Sequence, residues 1–395
     1  MKVLQLTKYY PPQHGGIESA TYDVTEGLNE KGIACDVLCS NPGPETIIET
    51  QGNYRIFRTG SISTLFATSI SPKFIAFLSS LHQKYDLLHV HFPNPMAALA
   101  LFLIRPKNRI LVHWHSDIIR QRFIYRFFRP LERWVLRRAD RIIGTSERYI
   151  YGSPALSSFK EKAAVVPLGI STERFTRNPE KEKSIKERFR GRKIVFSLGR
   201  LVYYKGFEQL IEAAKFLDED TVILIGGDGE LRKKFENQII ESRLERKVKL
   251  LGRIPDEEIA AYYNTCDVFC LPSTQRSEAF GVVQLEAMYF GKPVVATEIP
   301  GSGVSWVNKH NHTGLNVPAN NAYALSQALT TVLTDENLAK TFSINARARF
   351  QELFTREKMV ASFEDIYKKL LSPEEVHLKS RSLLKSIFAP AKKPL

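Results

Sequence analysis

The first half of the chain alternates short apolar runs with segments whose apolar residues recur at helical spacing. Runs of this length, rich in Val, Ile and Leu, are typical of buried strands. The predicted strands are KVLQLT, CDVLCS, YRIFRT, LLHVHF, RILVHWH and RIIGTS, and the clearest helices between them cover Ser19–Lys31 and Lys73–Lys84. The alternation predicts a parallel sheet that is covered by helices.

The second half repeats this scheme after a charged segment. Residues 176–193, TRNPEKEKSIKERFRGRK, predict a linker that leads into a short helix. The strands predicted beyond it are KIVFSLG, TVILIGG, VKLLG, VFCLPS and PVVAT, and the helices include Gly206–Phe216 and Ile259–Cys266. The pattern predicts an α/β protein with two Rossmann-like, doubly wound parallel sheets. Because ligands of such sheets bind at the carboxyl ends of the strands, we expect the two domains to face a cleft.

These patterns divide the 395-residue chain into two domains followed by a helix and a tail. A chain of this length can bury a full core in each domain. We predict an N-terminal domain at residues 1–175, a linker at 176–192, a C-terminal domain at 193–350, a helix at 351–371 that packs back on the N-terminal domain, and a basic tail at 372–395.

The composition is that of an ordinary globular protein, with 43% hydrophobic and 25% charged residues. The start of the chain lacks the apolar run of a signal peptide. The longest apolar run, Pro95–Ile104, has about half of the roughly 20 residues that a membrane-spanning helix needs. We therefore expect a cytoplasmic protein without a spanning segment.

The net charge of +14 is distributed unevenly along the chain. Residues 1–190 hold 28 Lys/Arg against 17 Asp/Glu, residues 191–371 hold 23 of each, and the tail holds 5 against 2. A basic first half fits a nucleic-acid-binding protein, and it equally fits a protein that works against an anionic membrane surface.

Four cysteines form two Cys-Asp-Val-x-Cys pairs, Cys35 with Cys39 and Cys266 with Cys270. The spacing suggests a zinc site, but both pairs lie in predicted buried strands, where residues four apart are roughly 13 Å from each other. That separation is too long for two ligands of one zinc ion, so we favour buried structural thiols. A reducing cytosol gives no reason to expect disulfides.

Two loops of the first half carry residues suited to an anionic or hydroxylated ligand. Gly15 and Gly16 precede the first helix, where backbone N–H groups can approach a ligand or simply form a tight turn. His115, at the end of RILVHWH, can contact a sugar hydroxyl or a leaving group. The other histidines near these strand ends fit structural roles better: His89, His91 and His113.

The second half offers two cations and a glycine cluster at strand ends. Arg200 and Lys205 can clamp a diphosphate, since a guanidinium binds two oxygens and an ammonium acts as a point charge. Gly227, in ILIGGDGEL, lets a nucleotide pass close by or serves an ordinary turn. Asp218–Asp220 resembles the Asp-x-Asp of metal-dependent sugar transferases, but it precedes a strand, so we interpret it as a solvated loop.

The stretch SEAFGVVQLEAM places Glu278 in a loop and Glu286 more than one turn into the next helix, which Gly281 is predicted to open. The N–H groups of the helix start lie between the two carboxylates and favour phosphates. One elongated ligand can therefore place a hydroxylated ring at Glu278 and a ribose at Glu286. A pair of hydrolytic carboxylates would instead flank a single bond, roughly 5–10 Å apart.

With these motifs in order, the sequence resembles family 4 retaining glycosyltransferases of the GT-B fold, of the bacterial polysaccharide and lipopolysaccharide type. The most specific mark is Glu-x7-Glu, here Glu278-AFGVVQL-Glu286, and the resemblance extends from the Gly-Gly loop to the helix ending near Leu371. It implies transfer of a hexose from a nucleotide sugar to a saccharide or lipid-linked acceptor, without a metal or other cofactor. We favour GDP-mannose as the donor, with UDP-hexoses as the alternative.

The resemblance also implies roles for individual residues. Glu278 would bind sugar hydroxyls, Glu286 would bind the ribose, and His115 would contact the donor sugar. The implied catalytic residues are His115, Glu278, Arg200 and Lys205, the last two offsetting the diphosphate charge. The donor-binding residues are Gly15, Gly16, Arg200, Lys205, Gly227, Glu278, Phe280, Gly281, Val282 and Glu286. No residue is marked as a covalent nucleophile, which fits a front-face mechanism, although Glu278 is the alternative nucleophile.

Residues 118–141 form a basic segment with apolar residues at helical spacing. Eight arginines stand against Glu132 and Asp140, and we expect Pro130 to break or start a helix within the segment. The apolar residues are Ile119, Phe123, Phe127, Leu131 and Trp134 or Val135. They either face the protein's own core or form an interfacial surface. The uneven charge favours contact with an anionic membrane on its inner face or with a lipid-linked acceptor.

Two further functions fit parts of this pattern. A nucleotide-sugar epimerase or a phosphorylase of the GT-B fold would share the sheets, although a phosphorylase would carry a pyridoxal-binding lysine. A nucleic-acid-binding protein would share the charge, but no RNA or DNA module is recognisable, so we expect no nucleic-acid partner.

Overall fold

The computed structural model describes residues 1–13, 15–65, 68–118 and 122–372. Its strands are β1 (Lys2–Leu6), β2 (Ala34–Asn41), β3 (Ile47–Gln51), β4 (Tyr54–Gly60), β5 (Ser63–Leu65), β6 (Thr68–Ile70), β7 (Leu87–Phe92), β8 (Arg109–Trp114), β9 (Arg141–Gly144), β10 (Ala163–Val165), β11 (Lys193–Leu198), β12 (Thr221–Gly226), β13 (Val248–Gly252), β14 (Val268–Leu271), β15 (Val294–Glu298) and β16 (Gly314–Pro318).

Its α-helices are α1 (Gly16–Glu30), α2 (Pro72–Leu81), α3 (Pro95–Ile104), α4 (Arg122–Arg138), α5 (Glu147–Gly152), α6 (Pro179–Arg188), α7 (Phe207–Ala213), α8 (Arg232–Glu241), α9 (Asp256–Thr265), α10 (Val283–Tyr289), α11 (Val304–Val307), α12 (Ala322–Thr334), α13 (Glu336–Leu353) and α14 (Arg356–Leu370). Single 3-10 turns cover His82–Lys84, Lys160–Lys162, Tyr203–Lys205 and Ala214–Phe216.

The chain forms two compact units. The first contains Met1–His113, Arg126–Ile143 and the chain from Val360 on, and the second contains Trp114–Tyr125 and Gly144–Met359. The domain boundaries that we inferred from the sequence, with the linker and the returning helix, stay a prediction.

In the sheet of the first unit, β1 pairs parallel with β2 and β7, and β2 pairs parallel with β4. Within this unit its order is β9-β8-β7-β1-β2-β4-β3, and β3 pairs antiparallel with β4. In register, Leu4 of β1 lies opposite Asp36 of β2 and Leu88 of β7. Every residue of β7 is buried, as expected for a central strand that helices cover on both faces.

The sheet of the second unit has six strands in the order β13-β12-β11-β14-β15-β16. All of its pairs are parallel, and the chain reverses its direction of travel across the sheet between β11 and β14. Such a reversal marks the point at which ligands of doubly wound sheets bind. Val195 and Ile223 of this sheet share a buried core with Phe207, Phe235 and Leu329 of the surrounding helices.

All eleven strands that the apolar runs predict are confirmed, although their ends differ by a residue or two. The sequence patterns missed β3, β5, β6, β10 and β16. These strands have three to five residues, and β16 contains Gly314 and Pro318. Short strands with exposed or strand-disfavouring residues carry no periodic signal, because tertiary pairing rather than local pattern stabilises them.

The basic helix α4 contains Pro130 in its interior, so the prediction that Pro130 breaks or starts a helix there is wrong. Proline removes the N–H that would bond to the carbonyl of Arg126. Pro130 is exposed, however, and water can satisfy that carbonyl. Ile119 and Arg120 lie outside the described residues, as does the basic tail beyond residue 372.

Candidate active site

The predicted ligand-binding loops of the second unit follow the two strands at which the order of its sheet reverses. Residues 199–206 follow β11, and residues 272–282 follow β14. The N–H of Thr274 donates to the carbonyl of Tyr204 at 2.8 Å. Gly206, with φ of +67°, approaches Pro272 so closely that a Cβ would clash with the Pro272 carbonyl oxygen. The two loops are therefore packed together through their backbones.

Glu278 and Lys205 form an ion pair between these loops. Lys205 Nζ lies 2.7 Å from Glu278 Oε2, and the two side chains are only 11% and 10% exposed. The Ser273 hydroxyl donates to the same carboxylate oxygen at 2.9 Å. Ser302 also donates its hydroxyl hydrogen to the backbone carbonyl of Glu278. Glu278 is thus fixed at both its carboxylate and its backbone.

Arg200 lies in a different environment from Lys205. Its side chain is exposed, and Nη2 donates to the Tyr204 hydroxyl at 3.4 Å. The two cations are therefore not equivalent in this structure, because one is tied to Glu278 and the other extends into solvent. Their joint clamping of a diphosphate stays a prediction.

Close packing requires a glycine at position 227. Its φ is +120°, and a Cβ at this position would clash with the carbonyl oxygen of Gly199. The N–H of Gly227 donates to the Gly252 carbonyl at 2.7 Å, and that of Gly199 donates to the Gly226 carbonyl at 3.0 Å. The glycine lets the loops after β11 and β12 meet, whether or not a nucleotide also passes there.

Phe280, Gly281 and Val282 form the turn before α10. Phe280 is buried against Trp306, and Gly281 has φ of +78°, which lies outside the helical region. The helix begins at Val283, one residue after the start of the predicted helix VVQLEAMYF, and Gly281 lies in the turn before it. The N–H groups of Gln284 and Leu285 bond to the carbonyls of Gly281 and Val282 within the turn.

Glu286 is the fourth residue of α10 and lies in its first turn, closer to the helix start than we predicted. Its Oε1 lies 2.6 Å from Arg174 Nη2, and its Oε2 accepts a hydrogen bond of 2.8 Å from the Tyr263 hydroxyl. Burial and the negative charge of Glu286 raise the pKa of Tyr263 well above its usual value. The tyrosine therefore keeps its proton and donates a hydrogen bond to the carboxylate.

His115 is the first residue after β8 and is buried. Burial lowers the pKa of His115 to about 3, so its imidazole is neutral near pH 7. Gly15 and Gly16 lie in the first unit. Gly15 caps α1 in an extended conformation, with φ of 174°, and Gly16 is the first helical residue. Ligand contacts of these three residues stay predictions.

Among the described residues, one cluster offers three side chains of the metal-ligand type: His89, His91 and His113, all buried. The rings of His89 and His91 stack 4.5 Å apart at 14°, so their in-plane nitrogen lone pairs do not converge on one point. His91 Nε2 lies 2.8 Å from Gln5 Oε1, and His89 Nδ1 contacts the Tyr367 hydroxyl. The stacking favours the structural interpretation, and metal independence stays a prediction.

Two other interpretations of the sequence are confirmed. All four cysteines are buried free thiols, and burial raises the pKa of Cys35, Cys39 and Cys266 to about 12. Residues 218–220 are exposed in the loop before β12, where Glu219 pairs with Lys247 at 2.8 Å. No helix in the described part of the chain is long and apolar enough to span a bilayer.

The structure brings residues to the site that the sequence analysis missed. Ser273 supports Glu278, whereas Arg174 and Tyr263 support Glu286. Ser273 follows β14 closely, and a polar residue at the end of a predicted strand is the one sequence signal for its role. Nothing in the sequence around Arg174 or Tyr263 signals their contacts with residue 286, because tertiary packing alone creates them.

Comparisons with known proteins agree with this fold. Residues 14–174 match the family model described as Glycosyltransferase Family 4, and residues 178–349 match Glycosyl transferases group 1. A sucrose-phosphate synthase (tll1590) from Thermosynechococcus elongatus superimposes with a TM-score of 0.78 at 23% identity, covering 93% of this chain and 98% of its own. The molecule is thus an α/β protein of the GT-B fold.

Two relatives are similar along nearly their whole length. The D-rhamnosyltransferase WbpZ of Pseudomonas aeruginosa is 32% identical, covering 90% of this chain and 92% of its own. The O-antigen chain mannosyltransferase C of Escherichia coli is 29% identical, covering 94% and 99%. The chain belongs to glycosyltransferase family 4, and it is a glycosyltransferase.

Proposed function

We propose that the protein transfers a hexose, specifically mannose from GDP-mannose, to a saccharide or lipid-linked acceptor in cell-surface polysaccharide biosynthesis. The observation that carries this proposal is the nearly buried Lys205–Glu278 pair, which lies where the strand order of the sheet reverses. The pair supports the proposal because a carboxylate can accept hydrogen bonds from sugar hydroxyls and a lysine can bind phosphate. Similarity to an O-antigen mannosyltransferase and a D-rhamnosyltransferase supports the polysaccharide substrate.

Each end of the donor has a candidate partner in the second unit. Lys205 and Ser273 occupy Oε2 of Glu278, so sugar hydroxyls are expected to donate to Oε1. Glu286 accepts from the ribose hydroxyls. The backbone of Phe280–Val282 lines the phosphates, and the cations of Arg200 and Lys205 offset their charge. Gly227 lets the donor approach the backbone of the second unit.

The transfer breaks the bond between the anomeric carbon and the β-phosphate oxygen and forms a bond from that carbon to the acceptor hydroxyl oxygen. For retention by front-face attack, the acceptor proton passes to the departing phosphate oxygen, so the products are the glycoside and the nucleoside diphosphate. Arg200 and Lys205 stabilise the charge that develops on the leaving diphosphate without a metal ion. Neutral His115 contacts the donor sugar. A covalent intermediate on Glu278 is the alternative route.

The test is release of nucleoside diphosphate by the full chain from a panel of nucleotide sugars in excess chelator. We expect the fastest release from GDP-mannose, and NMR of the transfer product should show the anomeric configuration of the donor. Glu278→Gln should lower release by about 10³-fold, whereas the control Glu212→Gln, which changes a partly exposed carboxylate of α7, should match the wild type. A panel in which no nucleotide sugar is consumed would contradict the proposal.

The same panel decides between the alternatives. Faster release from a UDP-hexose would favour a UDP-dependent transferase of this fold. An epimerase would interconvert nucleotide sugars without any acceptor, and a phosphorylase would require phosphate and show the absorbance of pyridoxal.

We further propose that α4 contacts an anionic membrane surface on its inner face, where a lipid-linked acceptor would lie. One side of this helix is buried at Val135 and Leu136, and Trp134 packs edge-on against Phe102 at 5.2 Å. Phe127, however, is 75% exposed. The exposed arginines around it include Arg126, Arg129 and Arg133. An exposed aromatic ring among cations is typical of an interfacial helix.

Charge reversal of Arg126, Arg129 and Arg133 to glutamate tests this surface. Each basic residue near an anionic leaflet contributes about 1 kcal/mol, so the triple variant should lose binding to phosphatidylglycerol vesicles and keep donor hydrolysis. The matched control reverses three exposed cations at and just beyond α6, Lys183, Lys186 and Arg190, and should bind like the wild type. Binding that ignores lipid charge, or tighter binding to nucleic acid than to vesicles, would contradict the proposal.

A further inference from the structure

An ion pair within the second unit joins the segment that carries His115 to the loop that carries Glu278. Asp117 lies two residues after His115, and Arg276 lies two residues before Glu278. Arg276 Nη2 is 2.8 Å from Asp117 Oδ2, and the two side chains are 18% and 11% exposed. The pair is therefore largely withdrawn from solvent.

Asp117 also accepts two hydrogen bonds and donates one within the same unit. The indole Nε1 of Trp114 and the hydroxyl of Ser153 donate to its Oδ1 at 2.9 and 2.6 Å. The backbone N–H of Asp117 donates to the hydroxyl of Tyr149 at 2.7 Å. Because Tyr149 lies in α5 and Ser153 directly follows it, these contacts fix residues 114–117 against that helix.

Arg276 is held on its other side by the backbone and by an aromatic ring. Its Nε donates to the carbonyl of Gly301 at 2.9 Å, and its guanidinium carbon lies 4.7 Å from the ring centroid of Tyr149. Burial and the charge of Asp117 raise the pKa of Tyr149 above its usual value, so its hydroxyl stays protonated. Tyr149 thus contacts both members of the ion pair.

We propose that Asp117 and Arg276 are positioning residues for sugar transfer, which hold His115 and Glu278 in the relative placement that the donor sugar needs. This inference rests on the proposed function. A buried ion pair fixes geometry even where its net contribution to stability is small. Displacement of a reacting group by about 1 Å can lower a rate by about 10²-fold. Loss of the pair should therefore lower the rate of transfer and leave nucleotide affinity intact.

The test compares Arg276→Ala with Arg276→Lys and with a matched structural control, Arg192→Ala. Arg192 also donates to backbone carbonyls of the second unit, but at the amino end of its sheet, on residues Glu219, Thr221 and Arg246. We expect Arg276→Ala to lower kcat by about 10²-fold while the KM for the donor and the Kd of the bare nucleoside diphosphate stay within about twofold.

Two partial rescues distinguish a positioning role of Arg276 from the mere loss of its side-chain volume. Lysine at position 276 can pair with Asp117 but cannot bridge to Gly301 and stack on Tyr149, so Arg276→Lys should recover only part of kcat. Added guanidinium ion should raise the kcat of Arg276→Ala and leave Arg192→Ala unchanged, because only the first variant has a vacated site beside a buried carboxylate.

The outcomes separate this inference from the proposed function. A wild type that releases no diphosphate from any donor would overturn the proposed function and the inference with it. An active wild type whose Arg276→Ala variant keeps its kcat, loses kcat and diphosphate affinity alike, or falls no further than Arg192→Ala would overturn the inference alone. If circular dichroism shows Arg276→Ala to be unfolded, Asp117→Asn is measured against the same limits, since asparagine still accepts from Trp114 and Ser153.

Discussion

Glu278 and Glu286 are eight residues apart, and each is buried beside one cation and one hydroxyl donor, yet the structure holds them in different ways. The partners of Glu278 are Lys205 and Ser273, which lie in the two loops at the reversal point of the sheet. The partners of Glu286 are Arg174, from a segment 112 residues earlier, and Tyr263 of α9.

The two cations also differ in exposure. The side chain of Lys205 is 11% exposed, whereas that of Arg174 is 44% exposed. Arg174 is half exposed, so it can move into solvent when a ligand hydroxyl takes its place on the buried Glu286. Lys205 is itself nearly buried, so it has no such path into solvent. Under the proposed function, we therefore expect Glu278 to be a fixed carboxylate at the sugar and Glu286 an exchangeable one at the ribose.

The largest expected effect follows from replacing the fixed carboxylate. Glu278→Ala removes a preorganised partner of the sugar, so kcat should fall by about 10³-fold while the bare nucleoside diphosphate binds with nearly wild-type affinity. Steady-state kinetics and calorimetry measure the two quantities. Equal losses of diphosphate affinity in Glu278→Ala and Glu286→Ala would break the comparison.

Arg200→Ala should come next, with a fall in turnover of about 10²-fold, because the charge on the departing diphosphate loses its exposed cation. Turnover of the wild type should persist in excess chelator, since Arg200 and Lys205 supply the positive charge. Strict dependence on added magnesium or manganese would contradict this prediction and would suggest Asp218–Asp220 as metal ligands.

Replacement of the exchangeable carboxylate should affect binding rather than chemistry. Glu286→Ala should raise the Kd of the nucleoside diphosphate about tenfold, which corresponds to about 1.4 kcal/mol of binding free energy. Saturating donor should restore most of kcat. Calorimetry with the diphosphate, beside Glu212→Gln as the control, checks the result, and a kcat loss as large as that of Glu278→Ala would contradict it.

The smallest expected effect is a difference between the two hydroxyl donors, Tyr263 and Ser273, in how they make stability depend on pH. The folded pKa of Tyr263 lies well above that of an unfolded tyrosine, so its contribution to stability is present below about pH 10 and is lost as the pH rises further. The free energy of unfolding of Tyr263→Phe should therefore fall less steeply above pH 10 than that of the wild type. Ser273→Ala should run parallel to the wild type, because serine does not titrate there.

Much of this architecture could be predicted because buried parallel strands have continuous apolar runs and helices have periodic ones. LLHVHF and TVILIG are buried at every position, which makes them conspicuous in the sequence. The hairpin strand β3, IIETQ, is mostly exposed and gives no such signal. The prediction at Pro130 was wrong because the tendency of proline to interrupt a helix is weaker here than the packing of the rest of α4.

The candidate site could be predicted only in part. Residues that follow strands, such as Lys205 and Glu278, come together because parallel strands end at one edge of a sheet. The start of α10 lies one residue beyond the start of the predicted helix VVQLEAMYF, because Gly281 with its positive φ and Val282 belong to the turn before it. The contacts of Arg174 and Arg276 depend on side chains that meet across long sequence separations, and no local pattern encodes them.

The contact of Gly206 with the Pro272 carbonyl has a consequence for engineering the donor preference of this enzyme. The loop after β11 and the loop after β14 meet backbone to backbone, and the N–H of Thr274 bonds to the Tyr204 carbonyl across the same junction. A loop taken alone from another sugar transferase would have to match that surface atom by atom. We therefore expect grafts to preserve activity when residues 199–206 and 272–282 are exchanged together from a single parent.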